Sequence, residues 1–597
     1  MNQNNKPSHI FDLLQQNVER YAQETCIFHK NLETKKWLSL TWKELWEKVL
    51  VLSRGLIALG LMPGDKVAIF SPTCYEWTLA DLAILAAGGV TVPIYPSLTS
   101  EQIKYICEDS KVSIIFAAGK KELKLLPKTT HMKYIRFDRD GFFEASHYLD
   151  HIERLSETIP LEQISSRIAA LKSSDDATYV YTSGTTGNQK GVVLTHGNIL
   201  AEVEATKEIM NFGPNDIGLL SLPLPHVFAR ASQFYQLCVG AKTAYAESLE
   251  MLALNFREVK PHFTCVVPRM LEKIYERVNG QVNKKALWRR NAFHAAVEVA
   301  KEYTQQKQFH RPISFKLKSK KALADFFVFR QLRSLLGGNI NTFISGGAPL
   351  AKELSLFFTA AGITVLEGYG LTETFAAVTV NRADDYRFGT VGKPMKGASL
   401  KIAEDGEILI KGPMVFSRYL HLEKETKEAF TDGWFKSGDI GELTKDGFLK
   451  ITGRKKELIV TSGGKKIAPQ RVEEALTTSK YIEMAMVYGD DHNYLVALLS
   501  LCHDEIVNYA GRHHIVWREY KDLIHNPEIQ HLIQSEVEKA NSTLAHFETI
   551  KRYEILGHVF SVESGDLTPT MKMKRYKIIS KYKHILEALY EEQKRGA

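Results

Sequence analysis

The sequence predicts an α/β protein of two domains: a large N-terminal domain of several subdomains over residues 1–454 and a small α+β domain over 455–597. Three observations carry this. A chain of 597 residues exceeds what one hydrophobic core serves. Strand-like and helix-like segments alternate through the first 450 residues, as in a sheet covered by helices. After about residue 385 the rhythm shifts to short strands with turn dipeptides, "AEDGEILIKG", "TDGWFKSGD" and "TKDGFLKITGR". A further α/β section, of ordinary domain size, follows from roughly 455.

In chain order, "TWKELWEKVLVLSRGLIALGL" reads as a helix that opens on a Thr41–Glu44 capping box and stops at Gly60. "GDKVAIF" is a short apolar strand. The most apolar stretch, "WTLADLAILAAGGVTVPIYP" (77–96), is broken by Asp81, Gly88, Gly89 and Pro93, so it reads as a buried helix and then a strand, not a membrane span. "LTSEQIKYICEDS" is a capped helix and "KVSIIFAAG" a strand, and the rhythm recurs through "HFTCVVPRM", "NTFISGGAPL" and "ITVLEGYG". Residues 272–337 differ. They are long, helical in pattern and strongly basic, which suggests an insertion packed on the sheet or a surface module.

Hydrophobic residues at 44% and charged residues at 24% are ordinary for a globular protein. The formal net charge of +8 is spread among acids, which disfavours nucleic acid as a partner and leaves anionic lipid or a polyphosphate ligand open. Cys26, Cys74, Cys107, Cys238, Cys265 and Cys502 lie far apart with no C-x-x-C pair, which suits a reducing cytosol better than a disulfide scaffold. The start, "MNQNNKPSHIFDLL", lacks a signal-peptide pattern. The expected location is cytoplasmic, with peripheral membrane contact, as a monomer or homodimer.

Four stretches carry chemistry. "YTSGTTGNQKG" (181–191) is small-residue-rich and lies between a strand and a strand–helix unit. Such a loop lets backbone N–H groups approach a phosphate, though its register is not that of the Walker loop. "EGYGLTET" (367–374) sets Tyr369 between Gly368 and Gly370, an arrangement suited to an aromatic face against a flat base. It adds the Thr372 hydroxyl and Glu373, a carboxylate fit to share Mg²⁺ with phosphates. In the segment 437–476, Asp439 can accept from vicinal ribose hydroxyls and Arg454 can join it. "GDLTPTMKMKRYKI" (565–578) is a basic segment near the C-terminus. Singly, each has a plainer reading as a turn, a surface ion pair or a solvated basic patch.

Together they resemble the adenylate-forming superfamily of acyl-CoA synthetases, adenylation domains and luciferases. The ordered set is "YTSGTTGNQKGVVLTHGN", "PLPHVFAR", "SGGAPL", "EGYGLTET", "TDGWFKSGD", "GRKKELIVTSGGKKIAP" and "LTPTMKMKR", spanning about residues 10–590. Within it the basic insertion, "GGAPL", "GYGLTET" and the "TPTxKxKR" ending are similar to long-chain fatty acyl-CoA synthetases. The resemblance implies a carboxylate attacking the α-phosphate of ATP, then CoA displacing AMP, so catalysis is positioning plus electrostatics.

Carried over position by position, Thr182, Ser183, Gly184, Thr185, Thr186, Gly187 and Lys190 form a mobile pyrophosphate cradle. Tyr369 stacks on adenine beside Gly370, Thr372 meets the α-phosphate, and Glu373 is the Mg²⁺ ligand. Asp439 and Arg454 hold ribose. Gly347 lets the backbone lie close to adenine and the acyl carboxyl, and His226 stands between acyl pocket and nucleotide. Lys572 is the catalytic lysine, with Lys574 as the alternative, since an extended segment projects both to one side. The small domain pivots near Lys456 and, after rotation, offers Gly463 and Gly464 to the pantetheine arm of CoA. The acyl pocket is expected from residues 226–240 and 342–350. Kept beside this reading are a fatty acyl-AMP ligase loading a carrier protein, a medium-chain synthetase, and an inactive nucleotide-binding homologue.

Overall fold

The computed structural model describes residues 7–31, 33–128, 132–137, 147–182, 189–561, 563–568 and 572–591. The capping box is where the sequence puts it. Thr41 Oγ1 accepts from the Glu44 N–H, the Glu44 carboxylate accepts from the Thr41 N–H, and Trp42–Ala58 is helical up to Gly60 at φ +93°. The apolar stretch becomes helix Tyr75–Ala86, buried from Trp77 through Ala86, and strand Val90–Ile94. Among the described residues no helix is long and apolar enough to cross a membrane.

Two large sheets organise the N-terminal domain. One has eight strands in the order Arg418–Tyr419, Lys190–Thr195, Asp176–Thr182, Val90–Ile94, Lys66–Phe70, Val112–Ala117, Lys133–Arg136 and His147–Tyr148. Its centre is parallel, and Asp176–Thr182 and Lys190–Thr195 form an antiparallel hairpin around the small-residue loop. The other has nine strands, in the order Lys393–Pro394, Thr379–Val380, Thr364–Tyr369, Thr342–Ser345, Phe263–Val266, Ile217–Leu220, Lys242–Tyr245, Thr25–Lys30 and Trp37–Thr41. Val90–Ile94, Phe263–Val266 and Thr342–Ser345 are buried at every residue, as expected of parallel strands covered on both faces. One continuous apolar core, from Ile69 of the first sheet to Phe263 of the second, joins them around helices Tyr75–Ala86 and Val227–Val239.

A five-stranded sheet completes the large domain, with Trp434–Leu443 between Glu407–Lys411 and Leu449–Arg454. Its last strand ends at Arg454, and the turn Lys455–Glu457 leads into the small domain. There Leu495–Leu501 is central, antiparallel to Ile482–Tyr488 and parallel to Ile550–Leu556, with separate apolar clusters on its two faces.

The helical stretch expected at 272–337 begins earlier than the sequence suggests. Helix Pro268–Asn283 starts directly after strand Phe263–Val266, with Pro268 in the first turn, where a missing N–H costs nothing. It is the crossover of the sheet. The appended part is helix Leu287–Gln308 and the rod formed by Phe315–Ala324, a π turn Asp325–Phe329 and Arg330–Leu335.

Candidate active site

A cleft of about 830 Å³ opens where strands of the nine-stranded sheet end, bounded by the five-stranded sheet and by Thr568 and Lys572 of the small domain. Open α/β sheets bind ligands at the carboxyl ends of their strands. Strand Thr342–Ser345 delivers Gly346 and Gly347, the latter at φ +83°, so bare backbone faces the cleft. Strand Thr364–Tyr369 delivers Tyr369 and Gly370. A Cβ on Gly370 would lie 1.4 Å from the Ala376 carbonyl oxygen, so only glycine closes this loop.

Tyr369 donates its hydroxyl to Asp439 Oδ2 at 2.7 Å, and Arg454 Nε meets Asp439 Oδ1 at 3.0 Å. The ladder between Trp434–Leu443 and Leu449–Arg454 places Asp439 opposite Arg454, so fifteen residues of sequence collapse to one rung. A carboxylate has about four lone-pair sites, so Asp439 still has capacity for ligand hydroxyls. Burial, with Asp439 adding, holds the Tyr369 phenol well above its usual range, and it stays a neutral donor.

Glu373 sits in the turn Thr372–Thr374 and accepts from Tyr419 Oη at 2.9 Å. Burial raises its pKa. Lys190 Nζ lies 5.2 Å over the Tyr419 ring, in strand Lys190–Thr195, which pairs with Arg418–Tyr419. Thr182 and Lys190 line the cleft, whereas Ser183, Gly184, Thr185, Thr186 and Gly187 lie outside the described residues. Thr372 and Glu373 line the cleft too. A half-buried carboxylate facing an open cleft can share an ion with phosphates, so Glu373 fits Mg²⁺.

His226 caps helix Val227–Val239. Its Nδ1 accepts from the Phe228 N–H at 3.1 Å, which leaves Nε2 as the protonated nitrogen of the neutral ring. Burial, with the Lys572 charge adding, pushes its pKa down to about 4. One turn along the same helix, Arg230 is wholly buried in an ion pair with Asp81: Nε to Oδ2 at 2.9 Å and Nη2 to Oδ1 at 2.5 Å. It also donates to Thr178 Oγ1 at 2.6 Å and lies over the Trp77 and Phe234 rings. This clamp ties the His226 helix to helix Tyr75–Ala86 and strand Asp176–Thr182. The segment "PLPHVFAR" by itself gives Arg230 no role; the signal for it is an arginine and an aspartate, each on a helix rich in apolar residues.

Lys572 lines the cleft and Lys574 is not among the lining residues. The short pairing Leu567–Met573 and the bond from Thr568 N–H to the Lys572 carbonyl at 2.7 Å anchor the segment, and Lys574 stands where the chain enters helix Arg575–Glu591. Lys572 keeps solvent access, but surrounding protein, with Arg454 next, lowers its pKa. The following residue group is anchored by Arg575, which pairs with Glu473 and reaches Glu457 at 3.5 Å. Lys456 also borders the cleft, in the turn Lys455–Glu457. Gly463 and Gly464 occupy the turn between Ile459–Val460 and Lys466–Ile467, exposed and away from the cleft residues.

The apolar part of the cleft comes from Val227, Phe228, Ala231, Tyr235 and Ile344, as the sequence suggests, with Phe263 closing it and Phe212 stacked behind at 4.1 Å. The sequence did not reveal Glu202, Thr206, Ile209 and Met210 from helix His196–Lys207 and its exit, nor Ala377, Val380 and Met395. That helix alternates polar and apolar residues without a clear stripe, so no face stands out.

A large α/β domain, a small domain reaching a lysine into its cleft, and an aromatic–acid–arginine set beside Glu373 define an adenylate-forming enzyme. Residues 14–420 match the AMP-binding enzyme family and residues 456–594 the AMP-binding enzyme C-terminal domain; the chain belongs to the AMP-binding enzyme family. It is 37% identical over 577 residues to the long-chain-fatty-acid–CoA ligase FadD15 of Mycobacterium bovis, covering 95% of each chain. It is 29% identical to long chain acyl-CoA synthetase 1 of Arabidopsis thaliana, covering 98% of this chain and 92% of that one. Among solved structures it superposes on the adenylation domain of a Mycobacterium chelonae carboxylate reductase with TM-score 0.77 at 20% identity, covering 98% of this chain and 92% of that one. It also superposes on a Mycobacterium tuberculosis fatty acyl CoA synthetase with TM-score 0.61 at 19% identity, covering 96% and 98%. These last two likenesses concern the fold.

Proposed function

We propose that this enzyme activates a long-chain fatty acid to its CoA thioester, with ATP, Mg²⁺ and CoA as the co-reactants. The observation that carries the reading is the convergence of Lys572, His226, Glu373 and the Tyr369–Asp439–Arg454 set on one cleft with an apolar floor. A carboxylate oxygen of the acid attacks the α-phosphorus. The bond to the bridging oxygen breaks, and pyrophosphate leaves with the electron pair. The CoA sulfur then attacks the acyl carbon and AMP departs with the carboxyl oxygen.

Lys572 faces the negative charge that builds on the α-phosphate and on the attacking carboxylate, while neutral His226 offers its Nε2–H to the same region. Asp439 and Arg454 hold ribose, Tyr369 and Gly347 flank the base, and Thr372 meets the α-phosphate. Thr182 and Lys190 mark the two ends of the pyrophosphate loop. Glu373, kept in place by Tyr419, is the carboxylate for Mg²⁺, which when bound offsets phosphate charge. Rotation about Lys456 would withdraw Lys572 and bring Gly463 and Gly464 to the cleft for the thioester step. Each further CH₂ buried against Phe228, Tyr235 and Phe263 contributes about 0.8 kcal/mol.

Incubation with palmitate, ATP, Mg²⁺ and CoA is expected to yield palmitoyl-CoA, AMP and pyrophosphate, with octanoate slower and acetate negligible. Adenylate formation with no CoA product, but transfer to a holo-carrier protein, would replace this reading with the acyl-AMP ligase one.

Fatty acids partition into membranes, and the appended rod suits contact from the cytoplasmic side. Phe315 (85% exposed), Leu323 (59%), Phe326 (61%) and Phe327 (64%) point outward, interleaved with Lys316, Lys320 and Arg330. Residues 311–336 hold seven Lys/Arg against one Asp. Basic helices studded with Phe and Leu lie in anionic interfaces, each basic residue near the surface contributing about 1 kcal/mol. The protein is expected to co-sediment with phosphatidylserine-containing vesicles and less with neutral ones. A Phe326→Ser/Phe327→Ser variant should stay in the supernatant while its turnover on detergent-dispersed acid is unchanged. Equal binding by both proteins would remove this surface from the reading.

A further inference from the structure

Among the carboxyl side chains that line the cleft, Glu202 lies beside apolar residues and has no part in the adenylation chemistry. Glu202, on helix His196–Lys207, is 3% exposed and lines the cleft beside Ile209, Met210 and Ala377. Its Oε1 accepts from the Ala377 N–H at 3.2 Å. Its Oε2 is buried and makes no hydrogen bond of good geometry among the described residues, where the Thr206 hydroxyl is the side-chain group that interacts with the carboxyl. Burial pushes its pKa up to about 8, so at neutral pH the group is a carboxylic acid. Because Oε1 is occupied as an acceptor, the proton belongs on Oε2.

A buried donor left unpaired costs about 1–3 kcal/mol, and a leucine of similar volume would avoid that cost in an apolar pocket. Holding Ala377 in place, and with it the loop after Glu373, requires only Oε1. The Oε2 hydroxyl is surplus to that bond. Thr206, one turn further along the helix, and Ser232 add hydroxyls to the same lining. The wall therefore clusters Glu202, Thr206 and Ser232, with more donors and acceptors than the bond to Ala377 uses.

We propose that Glu202 reads an oxygen substituent, a hydroxyl or keto group, on the acyl chain, so that oxygenated long-chain acids are a substrate class of this pocket. The proposal rests on the reading that the cleft takes a fatty acid. A site that hydrogen-bonds a substrate oxygen discriminates against the analogue lacking it, because its own polar group is then left unpaired.

The test compares kcat/KM for hexadecanoate and for a positional series of hydroxy- and oxo-hexadecanoates in the wild type, Glu202→Gln and Glu202→Leu. For at least one position, the wild type is expected to prefer the oxygenated acid. Glu202→Leu should lower that preference about tenfold, equivalent to about 1.4 kcal/mol, by improving the plain acid as well as weakening the oxygenated one. Glu202→Gln, which keeps an acceptor for Ala377 and a donor for the substrate, should retain most of it. An oxygenated-to-plain ratio that Glu202→Leu leaves unchanged at every position overturns the proposal, including the case in which both substrates fall together. If the wild type activates neither kind of acid, the fatty-acid reading itself fails. Hexadecanoate turnover without any position-dependent preference rejects Glu202 alone.

Discussion

Replacing Lys572 with alanine is expected to lower acyl-adenylate formation about 10²–10³-fold, the usual loss when one preorganised donor to a developing anion is removed. Supplied acyl-adenylate should still react with CoA at close to the wild-type rate, because in the proposed mechanism that half-reaction is served by the other face of the small domain. Pyrophosphate release and thioester formation from synthetic adenylate measure the two halves separately. Adenylation that survives would transfer the role to Lys574, against the geometry that turns Lys574 away from the cleft. The same group sets an alkaline limit. Burial and then Arg454 lower the Lys572 pKa, so its proton leaves as pH rises before a free lysine's would. The adenylation rate should therefore decline on the alkaline side below the ordinary lysine pKa, while the thioester half-reaction does not share that limb. His226, at about 4, is neutral across the whole range and contributes no limb near neutrality.

Asp81→Ala is expected to destabilise the large domain by about 3–5 kcal/mol, since it strands the fully buried Arg230 guanidinium without its partner. Denaturant unfolding followed by fluorescence checks this, Trp77 being beside the pair. A second variant, Asp81→Ala/Arg230→Met, should recover a substantial part of the loss, because an apolar pair avoids the desolvation that the ion pair must offset. Catalysis should not return with stability, because the clamp also aims the helix that begins at His226. A single variant within 1 kcal/mol of wild type would show that the pair is not what holds the two helices together.

The local elements were legible because their causes are local. Thr41 and Glu44 cap a helix with atoms three residues apart, and Gly88, at φ +80°, breaks an apolar run into a helix and a strand, while Asp81 and Pro93 are taken up inside those elements. The choice between Lys572 and Lys574 was not legible. It depends on where the extended segment gives way to helix Arg575–Glu591, directly after Lys574. The Arg230–Asp81 clamp joins residues 149 apart, and no periodicity in either helix announces it. Glu202 is not legible either: a glutamate on a mid-sequence helix ordinarily faces water, whereas this one is 3% exposed.

By itself the sequence determined the α/β architecture, the two domains and the ordered motifs, since propensity, capping and turn chemistry act between near neighbours in the chain. Tertiary structure alone decided which polar groups lose water and what they then face. It joined Tyr369 to Asp439 and Arg454, set Lys190 over Tyr419, lowered the pKa values of His226 and Lys572, and buried Glu202 in the cleft wall, which raises its pKa. Charge state and pairing follow from burial and from neighbours hundreds of residues away, so they exist only once the sheets and the small domain have closed on the cleft.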